Sequence, residues 1–334
     1  MIQVSFKLQF KVSFGRKRRA KAVVKAEETL GGFAGKAVRR AKDGKRSSTA
    51  CNYATAVSSF KHFSGEDVPL AGICKQKVSN WQKWLRDKGL SPNTVSCYVR
   101  SLRSLYNQAV ECGKVKDRRP FQNIPTPRCE TAKRALSPKD IRKIMDVELP
   151  EGSFDELSKD LFLFQFYAQG MPFVDMARLK RRQVESGRIT YHRRKTNGRV
   201  SVSLEPCIER IIGKYASYPG EYVFPIMPGF DGKYFDRKYH SALCRYNCAL
   251  KRIAKLAGVE ANLTSYSARH TWASEAYGKG VDLCLISKAM GHANTRNTLY
   301  YISGVDDDKV SAVNKEVITL VSNPHKGEIR HLCT

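Results

Sequence analysis

The sequence predicts a mainly α-helical protein with one small β-hairpin or sheet, organised as two domains. Apolar residues recur every three or four positions along most of the chain, which is the spacing of one helix face, and they alternate with polar ones around residues 188–204. A length of 334 residues suits two domains. Hydrophobic residues make up 42% of the chain, enough to build buried cores, so a wholly disordered chain is excluded.

The first 28 residues are predicted to be a basic, flexible extension. Eight lysines and arginines precede the first acidic residue, Glu27. Apolar and polar residues alternate from Phe6 to Phe14, unlike the continuous apolar core of a signal peptide. An organelle presequence, a DNA-binding arm and an overlong translation start all remain open.

Residues 29–113 are predicted to form a small all-helical domain. Ser47 or Ser48 suits the N-cap of one helix, and Ser91 followed by Pro92 is a start signal for another. The apolar stripes of three predicted helices are Tyr53, Val57 and Phe60; Val78, Trp81 and Leu85; and Val95, Tyr98, Val99, Leu102, Leu105 and Tyr106.

A proline-rich and basic stretch, residues 114–135, interrupts the helical periodicity and is predicted to be an inter-domain linker. The second domain then covers residues 136–322 and begins with a helix at Ser137. Residues 323–334 are predicted to be a tail. A further apolar stripe of helical spacing precedes this tail and comprises Val310, Val313, Val317, Leu320 and Val321.

Two short strands are predicted in the second domain, at residues 188–194 and 199–204. Asn197 and Gly198 join them. Asn-Gly between alternating runs is a strong signal for a two-residue hairpin turn, in which both residues take positive φ. Lys195 is therefore expected near the tip of a basic β-hairpin.

The basic composition favours a polyanionic partner. Lysine and arginine number 59 against 31 acidic residues, which gives a net charge of +28. Nucleic acid is the commonest such partner, although a basic protein without one remains open. No apolar stretch approaches the roughly 18–20 residues of a membrane span. The ten cysteines lack C-x-x-C spacing, so we expect reduced thiols, no metal site and a cytoplasmic location.

Three short motifs towards the carboxyl end carry the chemistry. Residues 266–273 read Y-S-A-R-H-T-W-A, Met290-Gly291-His292 follows, and Tyr301 lies nine positions beyond that histidine. This order and spacing resemble the tyrosine recombinase (phage integrase) family, whose boxes read H-x-x-R-H-T and L-G-H before a tyrosine nine positions on. The resemblance covers about residues 30–320. It implies a helical core-binding (SAM-like) domain followed by a mixed α+β catalytic domain.

The chemistry of attack on a phosphodiester explains these residue types. Negative charge accumulates on the nonbridging oxygens, and a fixed guanidinium such as Arg269 offers them two parallel donors. By resemblance, Tyr301 attacks phosphorus to form a 3′-phosphotyrosyl bond, Lys195 protonates the departing 5′ oxygen, and His292 hydrogen-bonds the phosphate. Tyr300 is then expected in the core. Because the bond energy is conserved for religation, no ATP, metal or other cofactor is expected.

Departures from the family pattern concern the first catalytic arginine. One branch of the family, rich in DNA invertases and mobile-element integrases, resembles this chain more closely than the general family does. Its members read R-G-M-x-F-V-D-M-A, and this chain has Gln169 at the position of the arginine. The commonest family pattern puts the arginine at Pro172, so it is missing on either alignment. Gln169 can donate a hydrogen bond but adds no charge. Asp175 keeps an acidic position that suits a buttress, and Tyr266 stands where most members have histidine, although a phenol can still donate to phosphate. The arginines that could replace the missing charge are Arg178, Arg181 and Arg182.

Two functions therefore remain open. One is a site-specific recombinase that catalyses inversion or integration, and the other is a catalytically impaired DNA-binding accessory or regulatory protein. For the recombinase we expect double-stranded DNA as partner, a homotetramer on paired sites, DNA-bending accessory factors as an option, and a nucleoid-associated location.

The polar side of the helix from Ser91 suits base edges, with an ordinary solvated face as an equal alternative. The predicted DNA contacts on this side are Asn93, Thr94, Ser96, Arg100 and Arg103, and the predicted phosphate contacts elsewhere are Lys45, Arg46, Arg193 and Arg194.

Overall fold

The chain divides into two compact units, Met1–Glu130 and Thr131–Thr334. Residues 1–27 of the predicted extension, Lys45, the predicted tail and the apolar stripe before it lie outside the described residues. The computed structural model describes residues 28–44, 46–129, 135–227 and 235–302, together with residues 311, 314, 315 and 318.

The described part of the first unit is helical, because its apolar residues are spaced to cover one face of each helix. Ser91 caps the last helix by accepting a hydrogen bond from the Thr94 backbone N–H, and Pro92 occupies the first position, as the sequence predicts. A second helix begins at Ser47 with Arg46, not a serine, at its N-cap. The helices are α1 (Leu30–Asp43), α2 (Ser47–Ser64), α3 (Lys75–Asp87) and α4 (Pro92–Glu111), with a short 3-10 turn at Leu70–Gly72.

The core of the first unit is built from the predicted apolar stripes. Phe60 of α2 and Trp81 of α3 meet edge to face with ring centroids 5.1 Å apart, and both are fully buried. Val99 and Leu102 of α4 are fully buried as well. The periodicity therefore identifies the buried faces of these helices correctly.

The stretch predicted as a linker begins packed against the first unit. Phe121 and Ile124 belong to its core, each only 7% exposed. Arg103 of α4 donates to the backbone carbonyls of both residues, and Asn93 pairs with the backbone N–H and carbonyl of Cys129. This part of the predicted linker is therefore structured, and the position of the domain boundary stays a prediction.

The second unit combines helices with a three-stranded antiparallel sheet in the order β1-β2-β3. Its elements are α5 (Pro138–Asp146), α6 (Phe154–Tyr167), α7 (Phe173–Met176), β1 (Val184–Glu185), β2 (Arg188–His192), β3 (Arg199–Ser203), α8 (Pro206–Lys214), α9 (Phe235–Leu256), α10 (Ser267–Gly278), α11 (Leu283–Ala289) and α12 (Arg296–Leu299). Helix α6 packs against α8, α9 and α10, and residues 161–164 are all buried. The predicted fold class, mainly α with a small sheet, is confirmed. None of the helices in the described part of the chain has the length and apolar character needed to cross a membrane.

The β-hairpin differs from its prediction at the turn. Strands β2 and β3 pair over five residues each, with the expected alternation of buried and exposed positions. The Arg193 backbone N–H donates to the Gly198 carbonyl at 2.9 Å and closes a longer loop than a two-residue Asn-Gly turn. Asn197 has a φ of 55°, whereas Gly198 does not have a positive φ. Lys195 lies in this loop, and the added strand β1 is too short to show an alternation in sequence.

Candidate active site

Arg269, in the first turn of α10, is the centre of a buried polar cluster. Only 1% of the residue is exposed. Its Nη1 donates to the Gly170 carbonyl at 2.7 Å and its Nη2 donates to the Met290 carbonyl at 2.8 Å, which offsets part of the cost of burying a charge. Gly170 has a φ of 70°, and a Cβ there would lie 2.8 Å from the Arg269 Cα, so this close approach requires glycine.

The surroundings lower the pKa of Arg269 to about 10. Burial is the largest cause, and repulsion from Arg193 is the next. The phenol of Tyr301 acts in the opposite direction, through its charge and through a hydrogen bond. The guanidinium stays protonated at neutral pH, because neutral pH lies far below this pKa.

His292 is a neutral hydrogen-bond acceptor in this structure. Its Nε2 lies 2.9 Å from Nη2 of Arg269, and its Nδ1 lies 2.9 Å from Oγ1 of Thr298. A guanidinium only donates, so Nε2 is unprotonated and Nδ1 carries the proton. Burial and then three neighbouring cations lower the pKa of His292 to about 3. These cations are Arg269, Arg193 and Lys195.

Tyr301 packs its ring beside the histidines of both motifs. Its ring centroid lies 4.7 Å from that of His270 and 5.2 Å from that of His292. The guanidinium carbon of Arg269 lies 5.3 Å from the same centroid. The Tyr301 carbonyl accepts a hydrogen bond from Oγ of Ser274 at 3.1 Å. The structure thus brings Tyr301, Arg269 and His292 together, as the motif spacing predicts.

Tyr300 is 53% exposed, so the prediction that it lies in the core is wrong. Successive residues of a helical turn point in different directions, and only one of two adjacent tyrosines at the end of α12 can face the cluster. That residue is Tyr301. The count of nine positions from His292 therefore selects the inward-facing tyrosine.

Arg193 is predicted from sequence to contact DNA phosphate, but it is only 7% exposed. Its Nη1 donates to the carbonyls of Met290 and Gly291 at 3.1 and 3.2 Å. The side chain is directed inwards because it lies on the same strand face as the buried Ile189 and Tyr191. Strand parity was therefore a sequence signal for this residue, and the prediction missed it.

Asp175 connects the hairpin to the cluster. Its Oδ1 accepts a hydrogen bond from the Arg194 backbone N–H at 2.8 Å, and its Oδ2 lies 3.7 Å from Nε of Arg193. Burial raises the pKa of Asp175, although the Arg194 hydrogen bond and the nearby arginine charges act to lower it. Asp175 therefore fixes the start of the hairpin loop, which suits the buttress expected at this position.

The cluster contains buried polar atoms that lack a hydrogen-bond partner among the described residues. They include Nε of Arg193 and Nε of Arg269, and Oε1 of Gln169, the residue before Gly170, is likewise buried without a partner in the described part of the chain. The two Nε atoms belong to cationic donors, and buried donors are normally paired. An anion is the ligand that such donors favour. No group of three or more His, Cys, Asp or Glu side chains in the described ranges could hold a metal ion.

Lys195 borders the cluster from the hairpin loop. It is exposed, and its charge contributes to lowering the pKa of His292. Oγ1 of the next residue, Thr196, donates to the Gly291 carbonyl at 2.9 Å. This hydrogen bond ties the loop to the turn that precedes His292.

Tyr266 is the N-cap residue of α10 and is 48% exposed. Desolvation of its phenol and the neighbouring Tyr301 raise the pKa of Tyr266, while Arg269 acts to lower it, so this residue also borders the cluster.

Arg181 is one of the arginines that could replace the missing charge. Its guanidinium donates to the carbonyls of Tyr215 and Tyr218, outside the cluster around Arg269. It does not replace the missing arginine.

The predicted DNA contacts on α4 have other roles in this structure. Ser96 is only 1% exposed, so the prediction of a DNA contact is corrected for this residue. Asn93, Arg100 and Arg103 donate to backbone carbonyls of the stretch 121–129. Thr94, Arg46 and Arg194 are at least partly exposed and stay predictions, and Lys45 lies outside the described residues.

The first unit is helical, and the second unit brings Arg269, His292 and Tyr301 together. This combination is typical of the tyrosine recombinases. The chain belongs to the phage integrase family, whose profile matches residues 134–306. The profile of the phage integrase SAM-like domain matches residues 29–124. The resemblance predicted from the motifs is confirmed, and at the level of the family the chain is a site-specific recombinase.

Two relatives are similar over most of the chain and a third over about a quarter of it. A tyrosine recombinase of Pseudothermotoga lettingae is 25% identical over 289 residues, which covers 83% of this chain and 93% of the relative. Tyrosine recombinase XerD of Listeria innocua is 24% identical over 238 residues, or 68% of this chain and 77% of the relative. Transposase A from transposon Tn554 of Staphylococcus aureus is 35% identical over 97 residues, or 28% of this chain and 25% of the relative.

Solved structures share the fold. A lambda integrase dimer bound to a COC′ core site aligns with a TM-score of 0.63 and 14% identity, covering 83% of this chain and 97% of that one. The Tn1549 transposon integrase in complex with a circular intermediate DNA aligns with a TM-score of 0.59 and 14% identity, covering 86% of this chain and 99% of that one. Because they cover more than four fifths of the chain, these likenesses include parts of both units.

Proposed function

We propose that this chain recombines DNA by using Tyr301 as a nucleophile that forms a 3′-phosphotyrosyl intermediate. The observation that carries the proposal is the convergence of three groups. Nη2 of Arg269 lies 2.9 Å from Nε2 of His292, and the Arg269 guanidinium carbon lies 5.3 Å from the Tyr301 ring centroid. A phosphate bound by the first two groups would lie within reach of the third.

The proposed reaction exchanges one phosphodiester for another. The Tyr301 oxygen attacks phosphorus, the bond from phosphorus to the 5′ oxygen breaks, and the phenol proton is released. Lys195 gives a proton to the departing 5′ oxygen. Attack by the 5′ hydroxyl of another strand reverses these steps and regenerates the phenol, so no ATP is consumed.

Arg269 stabilises the charge that develops on the nonbridging oxygens. Its Nε–H has no hydrogen-bond partner among the described residues, and a phosphate oxygen would supply one. His292 accepts from Arg269 in the free protein. A bound phosphate brings negative charge that offsets the neighbouring cations and raises the pKa of His292, so the protonated imidazole can donate to the same phosphate.

Double-stranded DNA is the proposed substrate. A net charge of +28 supports it, as do solved relatives that are bound to DNA. One related structure is a lambda integrase tetramer on a Holliday junction, which supports assembly of four protomers on paired sites. Inversion or integration of a DNA segment is the proposed outcome, with bending factors as optional partners.

A second candidate function is that of a DNA-binding accessory protein with impaired catalysis. Gln169 favours it, because an amide replaces the charge expected at the first arginine position. The two functions share DNA binding and differ in covalent chemistry. A covalent assay therefore separates them.

The test is a nicked suicide duplex that carries a repeat flanking the coding region. A short fragment leaves after cleavage, so religation is prevented and the covalent complex accumulates. We expect an adduct from the wild-type chain that is lost in Tyr301→Phe. The matched control is Tyr300→Phe, which removes the same hydroxyl from the adjacent exposed residue and should keep the adduct. Tight binding without adduct would instead support the accessory function.

A further inference from the structure

Arg193 brings a second guanidinium into the cluster at a site that lacks the first arginine of the family pattern. The residue is 7% exposed, so its charge acts across a poorly solvated space. It lowers the pKa of Arg269 and, together with Arg269 and Lys195, that of His292. Arg193 and Arg269 both donate to the Met290 carbonyl, and Arg269 contacts His292, so the Arg193 charge lies beside both groups.

The contacts of Arg193 also organise the turn before His292. Its Nη1 donates to the carbonyls of Met290 and Gly291, and the Met290 carbonyl also accepts from Arg269. Two guanidinium groups therefore share one carbonyl. A Cβ at Gly291 would lie 2.6 Å from Cδ of Arg193, so this turn closes on the arginine only because residue 291 is glycine.

The approach of two cations is expensive unless an anion lies between or beside them. Nε of Arg193 and Nε of Arg269 have no hydrogen-bond partner among the described residues. Asp175 compensates only in part, since its Oδ2 lies 3.7 Å from Nε of Arg193. The two unsatisfied cationic donors match in number the two nonbridging oxygens of a phosphodiester, which carries the opposite charge.

We propose that Arg193 supplies the second fixed positive charge of the phosphate site, in place of the charge absent at Gln169, and positions His292 through the Met290 and Gly291 carbonyls. The proposal rests on the proposed function. Arg193 thus has two proposed roles, a charge beside the phosphate and a positioning contact for the turn before His292, and its charge is the property that distinguishes these roles from simple packing.

The test measures single-turnover adduct formation on the nicked duplex by four variants. Arg193→Gln keeps a hydrogen-bond donor but removes the charge, and we expect a loss of about 10²-fold or more. Arg193→Lys keeps the charge and should retain a faster rate than Arg193→Gln. Gln169→Arg combined with Arg193→Gln should recover about tenfold or more, because the charge returns at the other position. Gln169→Arg alone is the reference for this double variant.

Melting temperatures verify that each variant is folded. A wild-type rate in Arg193→Gln overturns the inference, and so does an equal loss in Arg193→Lys and Arg193→Gln without recovery on adding Gln169→Arg. That second pattern would show that Arg193 only packs the turn. If the wild-type chain forms no adduct, the proposed function itself fails and the inference fails with it.

Discussion

At the scale of single residues, the protonation state of His292 determines which hydrogen bonds its imidazole can make. The imidazole accepts from Arg269 and donates to Thr298, and burial together with nearby cations holds its pKa at about 3. In the free protein it therefore cannot donate to an anion through Nε2. In the proposed function, a phosphate must therefore compete with His292 for Arg269, or change the charge of His292, before the two groups can act on it together.

The low pKa of His292 predicts a pH-dependent stability. An unfolded histidine titrates near pH 6.5, so below that value the unfolded state binds a proton that the folded state does not. The contribution of neutral His292 to the stability is fully present above about pH 6.5. It is lost as the pH falls towards about 3, the pKa of folded His292. Melting temperatures between about pH 7 and about pH 5 should fall more steeply for the wild-type chain than for His292→Gln. Parallel curves for the two proteins would contradict this assignment.

At the scale of elements, the turn between α11 and α12 is shaped by its contact with the hairpin. Gly291 has a φ of 62°, and a Cβ there would meet Cδ of Arg193 and Cγ2 of Val200, each at 2.6 Å. The hairpin and the turn thus hold each other in position. The glycine of the M-G-H motif therefore meets a packing requirement.

Replacement of Gly291 by alanine should expose this packing requirement. Gly280 also has a positive φ, of 81°, but nothing lies within 4 Å of a Cβ built there. The two alanine variants share the backbone strain, and only Gly291→Ala adds the clash. We expect Gly291→Ala to cost about 1–3 kcal/mol more than Gly280→Ala in the free energy of unfolding by urea. Equal costs would mean that the hairpin does not pack closely on the turn.

The roles of the polar residues of α4 cannot be predicted from the sequence pattern alone. Periodicity predicts its buried face and its cap, because both depend on neighbours within a few positions. It cannot tell a DNA-reading arginine from one that holds a distant backbone. Arg103 donates to the carbonyls of Phe121 and Ile124, which lie 18 and 21 residues away.

Arg103 should therefore contribute to stability more than to DNA binding. Arg103→Met leaves two carbonyls without their donor and should cost about 1–3 kcal/mol in the free energy of unfolding. The exposed Arg39→Met in α1 is the control and should cost little. The salt dependence of DNA affinity should be unchanged in Arg103→Met. A stability equal to wild type, with a log-log salt slope reduced by about one, would identify a phosphate contact instead.

At the scale of the whole molecule, the order of the two units and the family follow from local signals. Helical spacing, caps and the separation of the motifs are all readable along the chain. The burial of Arg193 depends on contacts between the hairpin and the turn at Gly291, about a hundred residues apart. Strand alternation predicts that Arg193 faces inwards, but it does not predict the carbonyls that Arg193 contacts. The exposure of Tyr300 likewise depends on tertiary packing, because Tyr301 is the residue that faces the cluster.

In the proposed reaction a single tyrosine becomes covalently attached to DNA. The most direct measurement is proteolysis of the trapped adduct followed by mass spectrometry of the peptide that carries the nucleotide. We predict that the modified residue is Tyr301. Attachment to Tyr300 or Tyr266, or the absence of any nucleotide-bearing peptide under conditions of tight DNA binding, would rule out Tyr301 as the nucleophile.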